Sequence, residues 1–247
     1  SGTTGKPKGA MLSHANLGSN AFVLRNAWGF DKNDVLLHAL PIFHAHGLFV
    51  ALNTVLMNGT SMVFIEEFDV NKVCRLLPQT TVMMGVPTFY TRLLEAKEFN
   101  STLTKHMRLF ISGSAPLMAE THARFYTQIG HSILERYGMT ETAMNSSNPL
   151  HGERIPGSVG PPLPGIDIRV VDDNDNKKNI GDTGNIQVRG PNVFSGYWRK
   201  PLKTNEEFCE DGFFRTGDLG YIDEDGYLFI VGRSKDLIIS GGYNVYP

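Results

Sequence analysis

Cysteine is scarce in this chain, and the two residues present lie far apart. Cys74 and Cys209 have no metal-ligand spacing, and they are most simply interpreted as reduced thiols in an intracellular protein. The chain is therefore not expected to depend on disulfides or on a metal site built from cysteine.

Blocks of basic residues and long apolar runs are also missing from the sequence. The formal net charge is −2, so nucleic acid is not expected as the main partner. The longest apolar runs, such as Leu48–Leu52, are far too short to span a bilayer, so no membrane span is expected. With 41% hydrophobic residues in a chain of 247, the composition is typical of a soluble globular protein with a sizeable core.

Signal and transit peptides are not visible either. The chain begins with Ser1 rather than methionine, so their absence says little about the compartment. Cytoplasm is the expected location, with the mitochondrion as the alternative in a eukaryote. The sequence makes no prediction of oligomeric state.

The opening stretch of the chain is rich in glycine, lysine and hydroxyl groups. Residues 1–9 read Ser-Gly-Thr-Thr-Gly-Lys-Pro-Lys-Gly. Glycines let a backbone approach a ligand closely, and backbone N–H, hydroxyl and ammonium groups donate to phosphate oxygens. We therefore predict a loop that binds nucleotide phosphates, with a mobile surface linker as the alternative. The common P-loop is disfavoured, because Pro7 follows Gly5-Lys6 and the required upstream glycine is missing.

The first two-thirds of the chain alternates between helical and strand patterns. Ser13 has the position of a helix N-cap, and Gly130 has that of a left-handed C-cap after a helix over Leu117–Ile129. Short apolar segments between the helical ones are predicted as buried strands. They are Val35–Leu40, Ser61–Ile65, Thr81–Met84, Met107–Ile111 and His131–Tyr137. This alternation predicts an α/β fold with a mostly parallel sheet flanked by helices.

The pattern changes near Pro156, where a segment rich in proline and glycine begins. Beyond it, short alternating segments joined by polar turns such as Asp223–Gly226 predict a small antiparallel, barrel-like β subdomain. Its predicted strands are Ile166–Val171, Asn185–Arg189, Tyr221–Ile222 and Tyr227–Val231. The expected organisation is an α/β subdomain over residues 1–160 and a β-rich subdomain over residues 161–231.

A first chemical motif follows a predicted strand. Residues 137–142 read Tyr-Gly-Met-Thr-Glu-Thr, and ligands of open α/β sheets bind beyond the carboxyl ends of strands. There Tyr137 can stack on a base, Thr140 can contact a phosphate and Glu141 can bind Mg²⁺. The alternative is an exposed loop in which Thr140 caps a helix.

A second pair of motifs lies in the β-rich part, at residues 214–219 and 232–236. A carboxylate such as Asp218 suits the two hydroxyls of a ribose. The alternatives are a turn-forming role for Asp218 after Gly217 and a surface ion pair for Arg233, which contributes less than about 1 kcal/mol.

Taken in order, these motifs resemble the acyl-adenylate-forming superfamily of acyl-CoA synthetases, luciferases and peptide-synthetase adenylation domains. The resemblance covers essentially the whole chain, and several segments in one order are more specific than any single one. The segments concerned are residues 1–9, 41–44, 137–142, 215–218 and 232–236.

Within that superfamily the chain most resembles the malonyl-CoA synthetases, on residues 40–47, 85–90, 133–138 and 238–244. The resemblance implies a ligase that uses ATP, Mg²⁺ and CoA. A carboxylate attacks the α-phosphorus of ATP to give acyl-AMP and pyrophosphate, and the thiol of CoA then displaces AMP. Methylmalonate, or a fatty or aryl acid, is the alternative substrate.

The superfamily's residue roles carry over to the matching positions. The resemblance implies that Tyr137 stacks on adenine opposite Ala115 and Pro116, and that Asp218 binds the ribose with help from Arg233. Thr140 and Glu141 are the implied catalytic residues, at the α-phosphate and at Mg²⁺. The residues implied to bind ATP are Ser1, Thr3, Thr4, Gly5, Lys6, Lys8, Ala115, Pro116, Glu135, Tyr137, Gly138, Thr140, Asp218 and Arg233.

The resemblance also assigns the end of the chain. Residues 232–247 match the hinge and the start of a C-terminal domain, with Lys235 at the hinge and Gly241 and Gly242 on the route of the CoA thiol. Superfamily members carry further chain on both sides of these residues, including the lysine that activates adenylation. The 247 residues alone are therefore expected to show no turnover, either as a nucleotide-binding fragment or as a fragment that does not fold alone.

Arg136 predicts the kind of acid. It precedes Tyr137 at the floor of the superfamily's acyl pocket, and a guanidinium there must be paired or it costs several kcal/mol. A second carboxylate on the substrate supplies that partner, with His44 and Ser114 as further donors. Pairing of Arg136 with Glu135 is the alternative, although adjacent strand residues point to opposite faces. His46 is left open between a buried histidine and a ligand.

Overall fold

The computed structural model describes residues 7–234 and the backbone of two short strands, Ile238–Ser240 and Tyr243–Val245. Some predicted site residues lie outside this described part. They are Ser1, Thr3, Thr4, Gly5, Lys6, Lys235, Gly241 and Gly242.

A six-stranded sheet forms the centre of the first part of the chain. Its strands are β1 (Val35–His38), β2 (Ser61–Phe64), β3 (Val82–Gly85), β4 (Leu109–Ser112), β5 (Leu134–Met139) and β6 (Ala143–Ser147). The spatial order is β2-β1-β3-β4-β5-β6, with every pair parallel except β5 and β6. The predicted α/β class with a mostly parallel sheet is confirmed.

The helices are α1 (His14–Ala27), α2 (Leu52–Asn58), α3 (Val70–Leu76), α4 (Pro87–Leu94), α5 (Ser101–Thr104), α6 (Ala119–Ile129) and α7 (Pro201–Glu207). Those from α2 to α6 connect the parallel strands, whereas α1 precedes β1 and α7 follows the six-stranded sheet in the chain. Both predicted caps are confirmed: Ser13 Oγ accepts from the Asn16 N–H over 3.1 Å, and Gly130 follows α6 at φ 75°. A π-helical turn over His46–Ala51, which no sequence pattern predicted, leads into α2.

The core divides between the two faces of this sheet because strand side chains alternate. Leu36, Val82 and Leu109 belong to one buried cluster, which also includes Leu24 of α1. Their neighbours Leu37, Met83 and Phe110 belong to the other. No helix in the described part of the chain is both long enough and apolar enough to cross a bilayer.

A second, antiparallel sheet follows. Its strands are β7 (Asp167–Val171), β8 (Gly184–Arg189), β9 (Phe214–Ile222) and β10 (Leu228–Arg233), in the order β10-β9-β8-β7. The predicted hairpin turn is confirmed, since Asp223 N–H bonds to Tyr227 O and Gly226 has φ 83°. Ile186, Val188 and Leu228 join the same buried cluster as α1, so the two sheets are packed together.

Several strand boundaries differ from prediction. β9 begins at Phe214 rather than Tyr221, because Gly217, Asp218 and Gly220 interrupt the apolar alternation that marks a strand. β6 was not predicted, since its residues are mostly polar. All of them are nevertheless buried, and side chains from distant segments pair with that strand. One such contact is the bond that the Asn20 side chain donates to Met144 O over 2.8 Å.

Candidate functional site

A cavity of about 300 Å³ opens where β5 meets the second sheet. The loop after β4 forms one wall and residues of β9 and β10 form another. Its lining includes seven of the predicted nucleotide residues, namely Ala115, Pro116, Glu135, Tyr137, Gly138, Asp218 and Arg233. We call this space the smaller cavity.

Asp218 is held by donors from two directions. The Tyr137 hydroxyl donates to Asp218 Oδ2 over 2.5 Å, and Arg233 Nε lies 3.1 Å from Asp218 Oδ1. Burial, followed by the neighbouring Asp218 charge, raises the pKa of Tyr137 well above its usual value, so the phenol keeps the proton that it donates. The aromatic ring and the carboxylate predicted to meet a base and a ribose therefore form one hydrogen-bonded unit.

Glu135 is a buried carboxyl group on the wall of the smaller cavity. Burial raises its pKa to about 7, although hydrogen bonds from the backbones of Gly157 and Leu117 oppose this. The Gly157 N–H donates to Glu135 Oε1 over 3.2 Å. Glu135 thus has its own backbone partners.

A larger cavity of about 1030 Å³ adjoins the smaller one. Ser114, Arg136, Gly138 and Arg233 line both. The remaining predicted residues of the described chain line the larger cavity, namely Lys8, His44, Thr140 and Glu141. Thr140 lies in the turn between β5 and β6, at the carboxyl end of the parallel strand where ligands of such sheets bind. The structure therefore brings all the described predicted residues together around two adjoining spaces.

Arg136 lies at the junction of the cavities with only 3% of its surface exposed. Its Nε and Nη2 atoms have no hydrogen-bond partner among the described residues. Burial lowers the pKa of Arg136 to about 10, while the nearby Tyr90 opposes the shift. The guanidinium therefore remains charged at neutral pH, in a place where an unpaired charge is costly.

Gly113 is what makes room for this side chain. A Cβ atom at residue 113 would lie 2.4 Å from Arg136 Cζ and 2.5 Å from its Nη1. Any side chain there would push the guanidinium away, so the glycine determines where the charge lies. Sequence reasoning missed Gly113 because its local context, Ser112-Gly113-Ser114, indicates only a turn.

Two histidines line the larger cavity together with Arg136 and have different surroundings. His46 is buried, its Nδ1 lies 3.3 Å from Ser114 Oγ, and its Nε2 has no partner among the described residues. Burial, and then the charge of Arg136, lowers the pKa of His46 well below its usual value, so His46 is neutral at pH 7. His44 is exposed at the cavity and its ring contacts that of Phe43.

Glu141 is buried and its side chain borders the larger cavity. The Tyr197 hydroxyl donates to Glu141 Oε1 over 2.8 Å. Mg²⁺ takes oxygen ligands and is often bound by one carboxylate together with substrate phosphates. The donor set of Glu141 and the adjacent Thr140 hydroxyl fits such an ion. Tyr197 was also missed, since nothing in its local sequence marks it.

Comparison with known proteins decides the family. The family model described as AMP-binding enzyme matches residues 1–198, most of the chain. The chain belongs to the AMP-binding enzyme family.

Individual AMP-binding enzymes are similar over the whole chain. The malonate–CoA ligase of Arabidopsis thaliana is 40% identical over 99% of this chain and 43% of its own length. The crystal structure of ATP-bound MatB from Rhodopseudomonas palustris is 59% identical with a TM-score of 0.98, covering 100% of this chain and 49% of that one. A malonyl-CoA ligase in a ternary product complex with methylmalonyl-CoA and AMP is 43% identical, with a TM-score of 0.89 over 99% of this chain and 54% of that one. The chain spans about half the length of these relatives.

Glu135 makes the stability of this site depend on pH. Its pKa is about 7 in the folded protein against 4.5 for a free side chain, so the folded protein holds this proton more tightly than the unfolded chain. The stabilisation that this proton provides is complete below pH 4.5 and is lost as the pH rises through 7. We predict that, as the pH rises from 5 to 8, the free energy of unfolding of Glu135→Gln increases by up to about 3 kcal/mol relative to that of the unsubstituted protein. Thermal unfolding over this range measures it, with the exposed Glu95→Gln as control. Parallel stability profiles for Glu135→Gln and the unsubstituted protein would contradict the assignment.

Proposed function

We propose that the natural protein carrying this chain is an acid–CoA ligase that forms malonyl-CoA from malonate, ATP and CoA through an acyl-adenylate. Membership of the AMP-binding enzyme family supports the adenylate chemistry. The similarity to a malonate–CoA ligase and to MatB supports the acid. The two adjoining cavities provide separate spaces for nucleotide and acid.

The buried guanidinium of Arg136 is the observation that most supports a dicarboxylic acid as the substrate. Its Nε and Nη2 donors lack partners among the described residues, and it lies between the two cavities. Glu135 does not supply the partner, since its carboxylate accepts from backbone N–H groups instead. An acid with a second carboxylate would pair with the guanidinium, whereas an aliphatic tail would leave the charge buried and unpaired.

The proposed arrangement assigns one task to each part of the site. Adenine lies between Tyr137 and the Ala115–Pro116 segment, and the ribose hydroxyls bond to Asp218. The distal carboxylate of malonate binds Arg136, with Ser114 and His44 beside it. The other carboxylate then faces the α-phosphate beside Thr140. Holding the two reactants in line in this way removes much of the entropic cost of their encounter.

The first reaction step forms a bond between a malonate oxygen and the α-phosphorus, and breaks the bond from that phosphorus to pyrophosphate. In the second step the sulfur of CoA attacks the acyl carbon, AMP leaves and the thiol proton is released. Mg²⁺, held by Glu141 together with the phosphates, would supply positive charge against the phosphate oxygens. Lys8 and the rest of the opening loop would bind the β- and γ-phosphates. Lys235 at the hinge and Gly241 and Gly242 on the CoA route remain predictions from the sequence.

Replacing Arg136 tests the substrate assignment. We predict that Arg136→Met in the complete natural protein lowers kcat/KM for malonate about 100-fold, because a charge-assisted pair contributes about 3 kcal/mol. The dissociation constant for ATP should change by less than about threefold, since the nucleotide contacts remain.

The measurement is CoA consumption with malonate, methylmalonate, propionate, a long-chain fatty acid and benzoate as substrates. Arg124→Met removes a surface arginine and is the matched control. Undiminished malonate use by Arg136→Met would refute the pocket assignment. A preference of the unsubstituted protein for propionate, the fatty acid or benzoate would refute the dicarboxylate.

Gly113 gives a subtler test of the same pocket. Gly113→Ala should displace the Arg136 guanidinium without removing its charge, and we predict an approximately 10-fold rise in KM for malonate, corresponding to the weakening of one charge-assisted hydrogen bond. Gly18→Ala on α1 is the control, because a Cβ there meets nothing within 4 Å. If Gly113→Ala leaves KM for malonate unchanged, Gly113 has no part in placing Arg136.

A further inference from the structure

The segment after the opening loop is fastened to a distant part of the chain. Residues 9–11 pair with residues 196–198 through an isolated antiparallel bridge between Ala10 and Tyr197. The Met11 N–H bonds to Gly196 O over 2.9 Å, and the Trp198 N–H bonds to Gly9 O over 2.7 Å. The chain next to Lys8 is therefore fixed relative to Tyr197.

The side chain of Tyr197 contacts two residues that line the larger cavity, Glu141 and Lys8. Its hydroxyl donates to Glu141 Oε1 over 2.8 Å, and Lys8 Nζ lies 4.4 Å from the centre of its ring. A cation over an aromatic face is attracted by the ring. One residue thus touches the carboxylate expected to hold Mg²⁺ and the lysine next to the phosphate loop.

Tyr197 is itself held rigidly. Only 4% of its surface is exposed, and its ring packs edge-on against Phe194 with the ring centres 4.8 Å apart. Its backbone N–H donates to Thr204 Oγ1 over 2.8 Å. On the other side of the contact, Phe194 N–H donates to Glu141 O over 2.8 Å. Both partners of the Tyr197–Glu141 hydrogen bond are therefore anchored by their own backbones.

We propose that Tyr197 is a positioning residue that sets the orientation of the Glu141 carboxylate for a phosphate-bound metal ion and aligns Lys8 with it. Because a carboxylate is planar, a hydrogen bond to Oε1 also sets the direction of Oε2. The inference rests on the proposed nucleotide function but not on the identity of the acid.

A binding experiment separates the two contacts of Tyr197. The complete natural protein is titrated with ATP in a calorimeter, without acid or CoA, once with Mg²⁺ and once with EDTA. Tyr197→Phe keeps the ring and removes the hydroxyl. For this variant we expect the dissociation constant for ATP to rise approximately 10-fold with Mg²⁺, as for the loss of a hydrogen bond to a charged group. With EDTA it should change by less than about twofold. Tyr197→Leu also removes the ring beneath Lys8 and should weaken binding under both conditions.

The controls address structure and coupling. Tyr227→Phe removes another tyrosine hydroxyl, one that donates to Glu153 O, and should change neither constant. Thermal unfolding monitors folding of each variant. If Tyr197 acts through Glu141, then adding Tyr197→Phe to Glu141→Gln should weaken Mg²⁺-dependent binding by less than about twofold further.

The results that would contradict the role of Tyr197 differ from those that would contradict malonate as the substrate. Unchanged Mg²⁺-dependent binding by Tyr197→Phe, or an equal loss with and without Mg²⁺, would overturn the positioning role. So would additive losses in the double variant, or an unsubstituted protein that does not bind ATP. An unsubstituted protein that binds ATP but does not use malonate would overturn only the acid, and the Tyr197 comparison would still be decided by ATP binding.

Discussion

A buried guanidinium is the constraint on which the rest of the site depends. Arg136 is carried on β5, one of the inner strands of the six-stranded sheet, and its charge lies away from water. Gly113 leaves the space that it occupies. Burying an unpaired charge there costs free energy, and a bound anion that pairs with the guanidinium reduces this cost. The fold therefore favours a ligand that carries a negative charge at this position. In the proposed function that anion is the second carboxylate of malonate.

The same strand also positions other residues of the site, because they lie next to Arg136 along β5 or directly after its end. Glu135 and Tyr137 precede and follow Arg136 along β5, and Thr140 and Glu141 come directly after the strand ends. In the proposed function, one rigid element would therefore align nucleotide and acid, which favours precise placement of the reacting groups. Asp218 and Arg233 of the antiparallel sheet line the smaller cavity on the side proposed for the nucleotide.

Asp218 and Glu141, two carboxylates of the proposed nucleotide site, each accept a hydrogen bond from a tyrosine hydroxyl. Tyr137 donates to Asp218 and Tyr197 donates to Glu141. Each of these bonds joins segments that are far apart in the chain. The site is thus assembled by tertiary contacts that tie the six-stranded sheet to the residues around the second sheet, and its geometry depends on how these parts are packed.

This dependence explains how much the sequence predicts. The parallel strands and the helix caps at Ser13 and Gly130 follow from local periodicity and capping chemistry. The site motifs are contiguous segments, so their residues are recognisable one by one. Gly113 and Tyr197 are not, because their importance lies in contacts with Arg136 and Glu141 that no local pattern encodes. β6 was missed for a related reason, since distant partners pair with its polar residues, whereas the first part of β9 was missed because glycines interrupt its apolar alternation.

The most direct test of the central claim is a crystal structure of the complete natural protein with malonate and a non-hydrolysable ATP analogue. The account predicts that the carboxylate of malonate farther from the α-phosphate lies within hydrogen-bond distance, about 3 Å, of Nε or Nη2 of Arg136. A structure in which malonate binds elsewhere, or in which a carboxylate of the protein itself pairs with Arg136, would contradict it.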